Sequence, residues 1–172
     1  MSLIFLIGMP GAGKTHWGNR LSGELGYSFI DTDAAIEKEK KNSIANIFSN
    51  EGEEKFREAE EKILQDIIQN KHGNEIIACG GGTPCYRNNM DLMKSSGCVI
   101  YLKAGLDYLT RNVATTLNER PLLNNNNHIQ EELERLYDKR HVTYEQAHFT
   151  LNIENISLTD FYKIINVCIN RQ

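Results

Sequence analysis

The sequence lacks most of the marks that would place it outside ordinary globular proteins. It has no apolar run near the roughly 18 residues needed to cross a bilayer; its longest early run, Leu3 to Ile7, stops at Gly8. No basic region precedes that run and no small-residue cleavage site follows it, so it does not read as a secretion signal, and a cytoplasmic location without membrane partners is expected. Basic excess is also missing. Lys plus Arg number 19 against 23 Asp plus Glu, a formal charge of -4, which argues against a dedicated nucleic-acid binder and requires any anionic ligand to be held locally. The four cysteines, Cys79, Cys85, Cys98 and Cys168, contain no Cys-x-x-Cys pair. In a chain of this size they are expected to be reduced thiols and not zinc ligands. The 172 residues, 40% apolar and 24% charged, suit one soluble domain, without an internal repeat or a marked boundary.

Strand-like runs alternate with helical periodicity along the chain, the pattern of a parallel sheet covered by helices. Leu3–Ile7 is continuously apolar, as in a strand buried on both faces. Lys14 to Leu25 follows as a helix, with Trp17, Leu21 and Leu25 at four-residue spacing and Gly26 as its stop. Trp17 is expected in the core. Ser28 to Ile30 is a second strand, followed by short helical pieces over Ala34 to Lys41 and Ile44 to Phe48. From Glu54 to Gln69, Phe56, Ala59, Ile63 and Ile67 trace one face of a long amphipathic helix. Glu75–Cys79, Cys98–Leu102 and Phe149–Leu151 complete five expected strands. Helices are expected over Asn89–Ser95, Leu106–Ala114, Ile129–Gln146 and Leu158–Ile169, and the polar stretch with Arg120, Pro121 and Asn124 to Asn127 reads as a mobile excursion.

Gly8-Met-Pro-Gly-Ala-Gly-Lys14-Thr15 satisfies G-x-x-x-x-G-K-[ST] between a buried strand and a helix, the context the motif requires. Glycines let successive N–H groups point inward at phosphate oxygens, and the helix N-terminus adds partial positive charge. Lys14 supplies a point charge for the β and γ phosphates, and the Thr15 hydroxyl can ligate Mg²⁺. The acceptor must be read elsewhere. Asp31-Thr32-Asp33 lies past the carboxyl end of the second strand, the edge where open α/β sheets bind ligands. Two carboxylates there can divide between metal and substrate hydroxyl, or one can simply cap a helix. Arg57 with Glu60 three residues on, and Arg140 within Asp138-Lys139-Arg140, are by themselves ordinary helix-surface patterns.

Taken together, the P-loop, Asp31-Thr-Asp33, Glu53 to Glu61 with Phe56-Arg57 and Glu60, Gly80-Gly81-Gly82, Arg120-Pro-Leu-Leu123, and Arg140 with Tyr144 resemble the shikimate kinase family in order and spacing over nearly the whole chain. The resemblance implies a single kinase domain over 1–172 of the P-loop nucleoside-monophosphate-kinase-like type: a three-layer α/β fold with a five-stranded parallel sheet flanked by helices. It also implies a substrate-binding segment near 32–60, a lid near 112–128, and a monomer. The implied reaction is transfer of phosphate from ATP, with Mg²⁺, to the shikimate 3-hydroxyl in aromatic amino-acid biosynthesis.

By the same resemblance, Lys14, Asp33 and Arg120 are catalytic, Arg120 as the lid residue that closes on the phosphates. Gly11, Ala12, Gly13, Lys14, Thr15, His16, Arg111 and Arg120 take the nucleotide, with Arg111 against adenine. Asp33, Arg57, Gly80, Gly81, Gly82 and Arg140 take shikimate, the two arginines gripping its carboxylate. Thr15 and Asp31 hold the metal. His16 enters only by its place after Thr15; the five histidines otherwise show no metal-ligand spacing and no nucleophile partner.

Three departures from the family pattern stand out. Ala78 has no hydroxyl where some members have Ser, Ile153 to Thr159 contains no basic residue where many carry Arg, and Glu119 stands beside Arg120. A kinase of another small acid such as gluconate, or a binding protein that has lost catalysis, are the alternatives. The absence of an Asn-Lys-x-Asp motif argues against a GTPase-type switch.

Overall fold

The computed structural model describes residues 2–115 and 129–170. Five strands, β1 (Leu3–Ile7), β2 (Ser28–Asp31), β3 (Glu75–Ala78), β4 (Cys98–Lys103) and β5 (Phe149–Asn152), form one parallel sheet in the order β2-β3-β1-β4-β5. Every side chain of β1 is buried, as its unbroken apolar run requires of a strand covered on both faces. Register pairs Leu3 with Glu75 and Leu6 with Ala78 on one side, and Ile4 with Cys98 and Ile7 with Tyr101 on the other. Asp31 pairs with Ala78. The carboxyl ends of β1, β2 and β3 therefore finish side by side and deliver the P-loop, the Asp31-Thr-Asp33 segment and the triple glycine to one edge, where ligands of open α/β sheets bind.

The helices are α1 (Lys14–Leu25), α2 (Thr32–Lys40), α3 (Ile44–Gln69), α4 (Asn89–Ser96), α5 (Leu106–Ala114), α6 (Ile129–Tyr144) and α7 (Leu158–Asn170). The two pieces expected over 44–69 form one element interrupted at Gly52, which has φ 83° and ψ 170°; the break lies between them. Beyond the central core around the sheet, Ile36, Ile47, Phe56 and Ile63 form a smaller cluster joining α2 to α3. Trp17 is only partly buried: one side of its ring meets Phe161 of α7 at 4.8 Å, and Arg20 lies over the indole at 5.6 Å.

The cysteines depart from the expected four thiols. Cys98 opens β4, Cys168 lies on the buried side of α7, and the two are joined in a disulfide with Cα atoms 5.7 Å apart, within the span such a bond needs. Only Cys79 and Cys85 are thiols. The pairing joins positions 70 residues apart in sequence, brought together by α7 closing against the start of β4.

Candidate active site

The turn from β1 into α1 is built from glycines at positive φ, with Gly11 at 83° and Gly13 at 72°, a region that β-carbons disfavour. Gly13 is the N-cap of α1 and supplies no side-chain cap, and the first turn carries no acidic residue. The N-terminus of α1 thus presents backbone N–H groups and partial positive charge toward an anion. Lys14 folds back over the loop, its Nζ donating to the carbonyls of Gly8 at 2.9 Å and Met9 at 3.1 Å. Next to it, Thr15 Oγ1 donates to Asp31 Oδ2 at 2.7 Å. The other oxygen of Asp31 caps α2, accepting from Asp33 N at 3.0 Å and Ala34 N at 3.4 Å. Asp31 therefore serves as the helix cap, and its second oxygen is engaged by the P-loop hydroxyl. These residues line a hollow of about 130 Å³ with Asp33, Ala78, Gly80 and Gly81.

A second hollow, about 240 Å³, opens beside the first and is lined by Glu53, Arg57, Gly82, Tyr86, Arg135 and Arg140 among others. Arg57 and Arg140 are each only 8% exposed, so neither is the solvated surface charge its local sequence suggests. Arg57 Nη1 donates to Glu60 Oε2 at 2.5 Å and Nη2 to Glu53 Oε1 at 3.0 Å. Burial works against its charge, but the attraction of Glu60 and the bonds to Glu60 and Glu53 outweigh that and hold the guanidinium firmly protonated. Glu60, itself fully buried, takes a further bond from Thr83 Oγ1 at 2.5 Å. On the facing helix Tyr144, below Arg140, donates its hydroxyl to Gly81 O at 2.6 Å; burial raises the phenol's pKa, so that proton stays in place.

The triple glycine is the wall between the hollows, and each α-carbon faces a different group. A β-carbon on Gly80 would collide with Glu60 Oε1, Asp33 Oδ1 and Thr83 Oγ1; one on Gly82 would overlap the Arg57 guanidinium. At Gly81 it would lie 3.2 Å from Arg140 Nη1, 3.5 Å from Pro10 Cδ and 3.6 Å from Gly8 O. Phosphate loop and Arg140 thus come together at a single residue, Gly81. A larger hollow of about 310 Å³ between α2 and α3, lined by Glu39, Lys40, Lys55, Glu58 and Lys62 with Ile36, Ala59 and Ile63, lies away from the P-loop and holds none of the expected site residues.

Residues 10–169 match the family model described as shikimate kinase. The chain belongs to the shikimate kinase family. It is 44% identical to the shikimate kinase of Azobacteroides pseudotrichonymphae genomovar. CFP2 over 164 residues, 93% of this chain and 95% of that protein. It is 43% identical to that of Clostridium botulinum strain ATCC 19397 over 149 residues, 86% and 85% of the two chains. Among solved structures it is similar to shikimate kinase from Acinetobacter baumannii in complex with shikimate, with TM-score 0.88 and 29% identity over 100% of this chain and 95% of that one. A gluconokinase from Sinorhizobium meliloti superimposes with TM-score 0.61 at 13% identity over 98% and 94% of the two chains, a likeness of fold alone. Five parallel strands flanked by helices are the architecture of the shikimate kinases, and this member is an ATP-dependent kinase, a transferase, of that family.

Within this shikimate kinase the other expected residues fall as follows. Ala12 is buried in the loop. His16 is exposed at the start of α1, edge-on to Trp17 at 5.5 Å. Arg111 is exposed on α5, next to Asn112, whose Nδ2 donates to Gly11 O at 2.9 Å and ties that helix to the P-loop. Arg120 and Glu119, with most of the expected lid, lie outside the described residues. Glu53, Thr83 and Tyr86 are not among the expected site residues. Glu53 carries a signal, the four-residue spacing to Arg57; Thr83 and Tyr86 reach α3 only through tertiary structure, Tyr86 by donating to Glu54 Oε1 at 2.7 Å. Among the described residues no helix is long and apolar enough to cross a membrane.

Proposed function

We propose that the chain transfers the γ-phosphoryl group of ATP to the 3-hydroxyl of shikimate, giving shikimate 3-phosphate and ADP, and that the residues divide this work between the two hollows. The observation that carries the reading is at Gly81, where buried Arg140 of the second hollow and the carbonyl of Gly8 in the phosphate loop both lie within 4 Å of one β-carbon position. Arg57 and Arg140 take the shikimate carboxylate, for which planar guanidinium forks are suited. This seats the ring against Gly80 to Gly82 with its hydroxyls toward Asp33. Asp33, exposed at the mouth of the hollow, accepts the hydrogen bond of the attacking hydroxyl and takes its proton. Lys14, Arg120 and the N–H groups of Gly11, Ala12, Gly13, Lys14, Thr15 and His16 hold the phosphates, and Arg111 borders the adenine. The rate enhancement comes from positioning and fixed charge, without a covalent intermediate.

The Thr15 and Asp31 oxygens, side by side at 2.7 Å, fit a small hard cation. Mg²⁺ held there supplies charge neutralisation to the β and γ phosphates. A monomer in the cytoplasm, with shikimate and ATP as its small-molecule partners, completes the proposal.

Incubating the purified protein with Mg-ATP and shikimate, and comparing the product by mass and chromatography with authentic shikimate 3-phosphate, tests donor, acceptor and position at once. Gluconate run in parallel should give no phosphorylated product. Turnover of gluconate in preference to shikimate would overturn the reading.

A further inference from the structure

We propose that Thr83 is a positioning residue for recognition of the acceptor: its buried hydroxyl fixes Glu60, and Glu60 in turn holds Arg57 in the attitude that receives the substrate carboxylate. The inference rests on the shikimate reading of the second hollow. Thr83, Glu60 and Asn89 are at most 1% exposed, so each polar atom there needs a partner inside the protein. They form one chain of bonds. Asn89 Nδ2 donates to Thr83 O at 2.9 Å and Thr83 N to Gly80 O at 3.1 Å, which pins the backbone of residue 83. Thr83 Oγ1 then donates to Glu60 Oε1, and Arg57 Nη1 donates to Glu60 Oε2, both at 2.5 Å.

The two oxygens of Glu60 are thus assigned to different partners, and the threonine decides which one is left for the arginine. The same Oε1 lies where a β-carbon on Gly80 would meet it together with Asp33 Oδ1. Two carboxylates approach there, and a hydroxyl donor on the nearer oxygen holds Glu60 turned toward Arg57. Without that donor the fully buried Oε1 loses the hydrogen bond it accepts from Thr83, and the side chain is driven to rotate and recruit another partner. The guanidinium moves with it.

Two outer contacts brace the same loop against α3, Tyr86 to Glu54 at 2.7 Å and Arg87 to Glu61 at 2.8 Å. Both are exposed and neither touches Arg57. The buried contact is the one that reaches the clamp.

Thr83→Val preserves shape and removes the proton donor. The expected result is a rise of roughly 10-fold or more in the KM for shikimate, the size that follows from losing a hydrogen bond to a buried charge. The KM for ATP should be unchanged and kcat little altered, because the interaction disturbed is made in ground state and transition state alike. Thr83→Ser, which keeps the hydroxyl, should restore the KM. A residue needed only for folding would instead lower the active fraction and leave KM where it was. If Val fails to yield folded protein, Thr83→Ala with Ser as its partner gives the same comparison. Wild-type turnover of shikimate together with a KM for the Val or Ala variant within twofold of wild type, or equal shifts for Ser and Val, would overturn the role of Thr83 alone. Failure of the wild type to phosphorylate shikimate would overturn the acceptor assignment beneath it.

Discussion

Gly82→Ala places one methyl group against Arg57, to which all three of the nearest heavy atoms belong. Gly82 has φ -90° and ψ -18°, ordinary right-handed backbone that alanine adopts without strain. Its β-carbon would lie 2.6 Å from Arg57 Nη2, with Nη1 and Cζ still closer, whereas comfortable contact begins near about 3.5 Å. The guanidinium must retreat by roughly 1 Å or more. It has no slack, being buried and bonded to Glu60 at 2.5 Å and Glu53 at 3.0 Å. At least one charge-assisted bond is lost or the fork turns away from the substrate, a penalty of roughly 1.5 to 3 kcal/mol, or on the order of 10- to 100-fold in affinity. A coupled ADP-release assay should show that increase in the KM for shikimate, with the KM for ATP unaltered. In a double-mutant cycle, adding Gly82→Ala to Arg57→Ala should cost little more, since the group it displaces is already gone. A KM within twofold of wild type in the single variant, or full additivity in the double, would refute the clash and the assigned place of Arg57.

Lys14→Ala, which removes the charge proposed to meet the β and γ phosphates, should lower turnover by orders of magnitude while shikimate binding without nucleotide, measured by calorimetry, stays near wild type. Asp33→Asn should act mainly on kcat, on the order of 100-fold if Asp33 takes the hydroxyl proton. Asp31→Asn, which still caps α2, should instead raise the Mg²⁺ concentration needed for half-maximal activity; the opposite pattern would reverse the roles. Thiol titration of the oxidised, denatured protein should count two free cysteines, Cys79 and Cys85, and four after reduction. The bond closes a span of 70 residues, which corresponds to about 4 kcal/mol in the chain-entropy model, so reduction should lower the urea midpoint; four thiols before reduction would remove the crosslink.

Elements whose signals are local are legible in the amino-acid sequence alone. Leu3–Ile7 and Lys14–Leu25 begin and end where the apolar run, the helical spacing and Gly26 put them. The phosphate loop is equally plain, because its glycines, lysine and threonine act through neighbouring backbone. The acid hollow is different. Arg57 and Arg140 look like surface charges on their own helices, and only the family resemblance, not their spacing, marks them as ligands; their burial depends on α3 and α6 meeting across Gly80 to Gly82. Thr83 has no local signal, since its one informative contact is with a residue 23 positions away. The Cys98–Cys168 pair escapes a sequence reading for a related reason: absence of a short-range motif says nothing about partners that the topology brings together.

The glycine wall bears on any molecule built to occupy both hollows at once. Arg140 Nη1 and Gly8 O both lie within 4 Å of where a β-carbon on Gly81 would stand, so a tether joining a carboxylate ring to a phosphate chain has to cross close over Gly81. Spacers of more than a few atoms would bulge into solvent and surrender the affinity that joining the halves is meant to gain. The compact solution is a linker no longer than the transferred phosphoryl group itself.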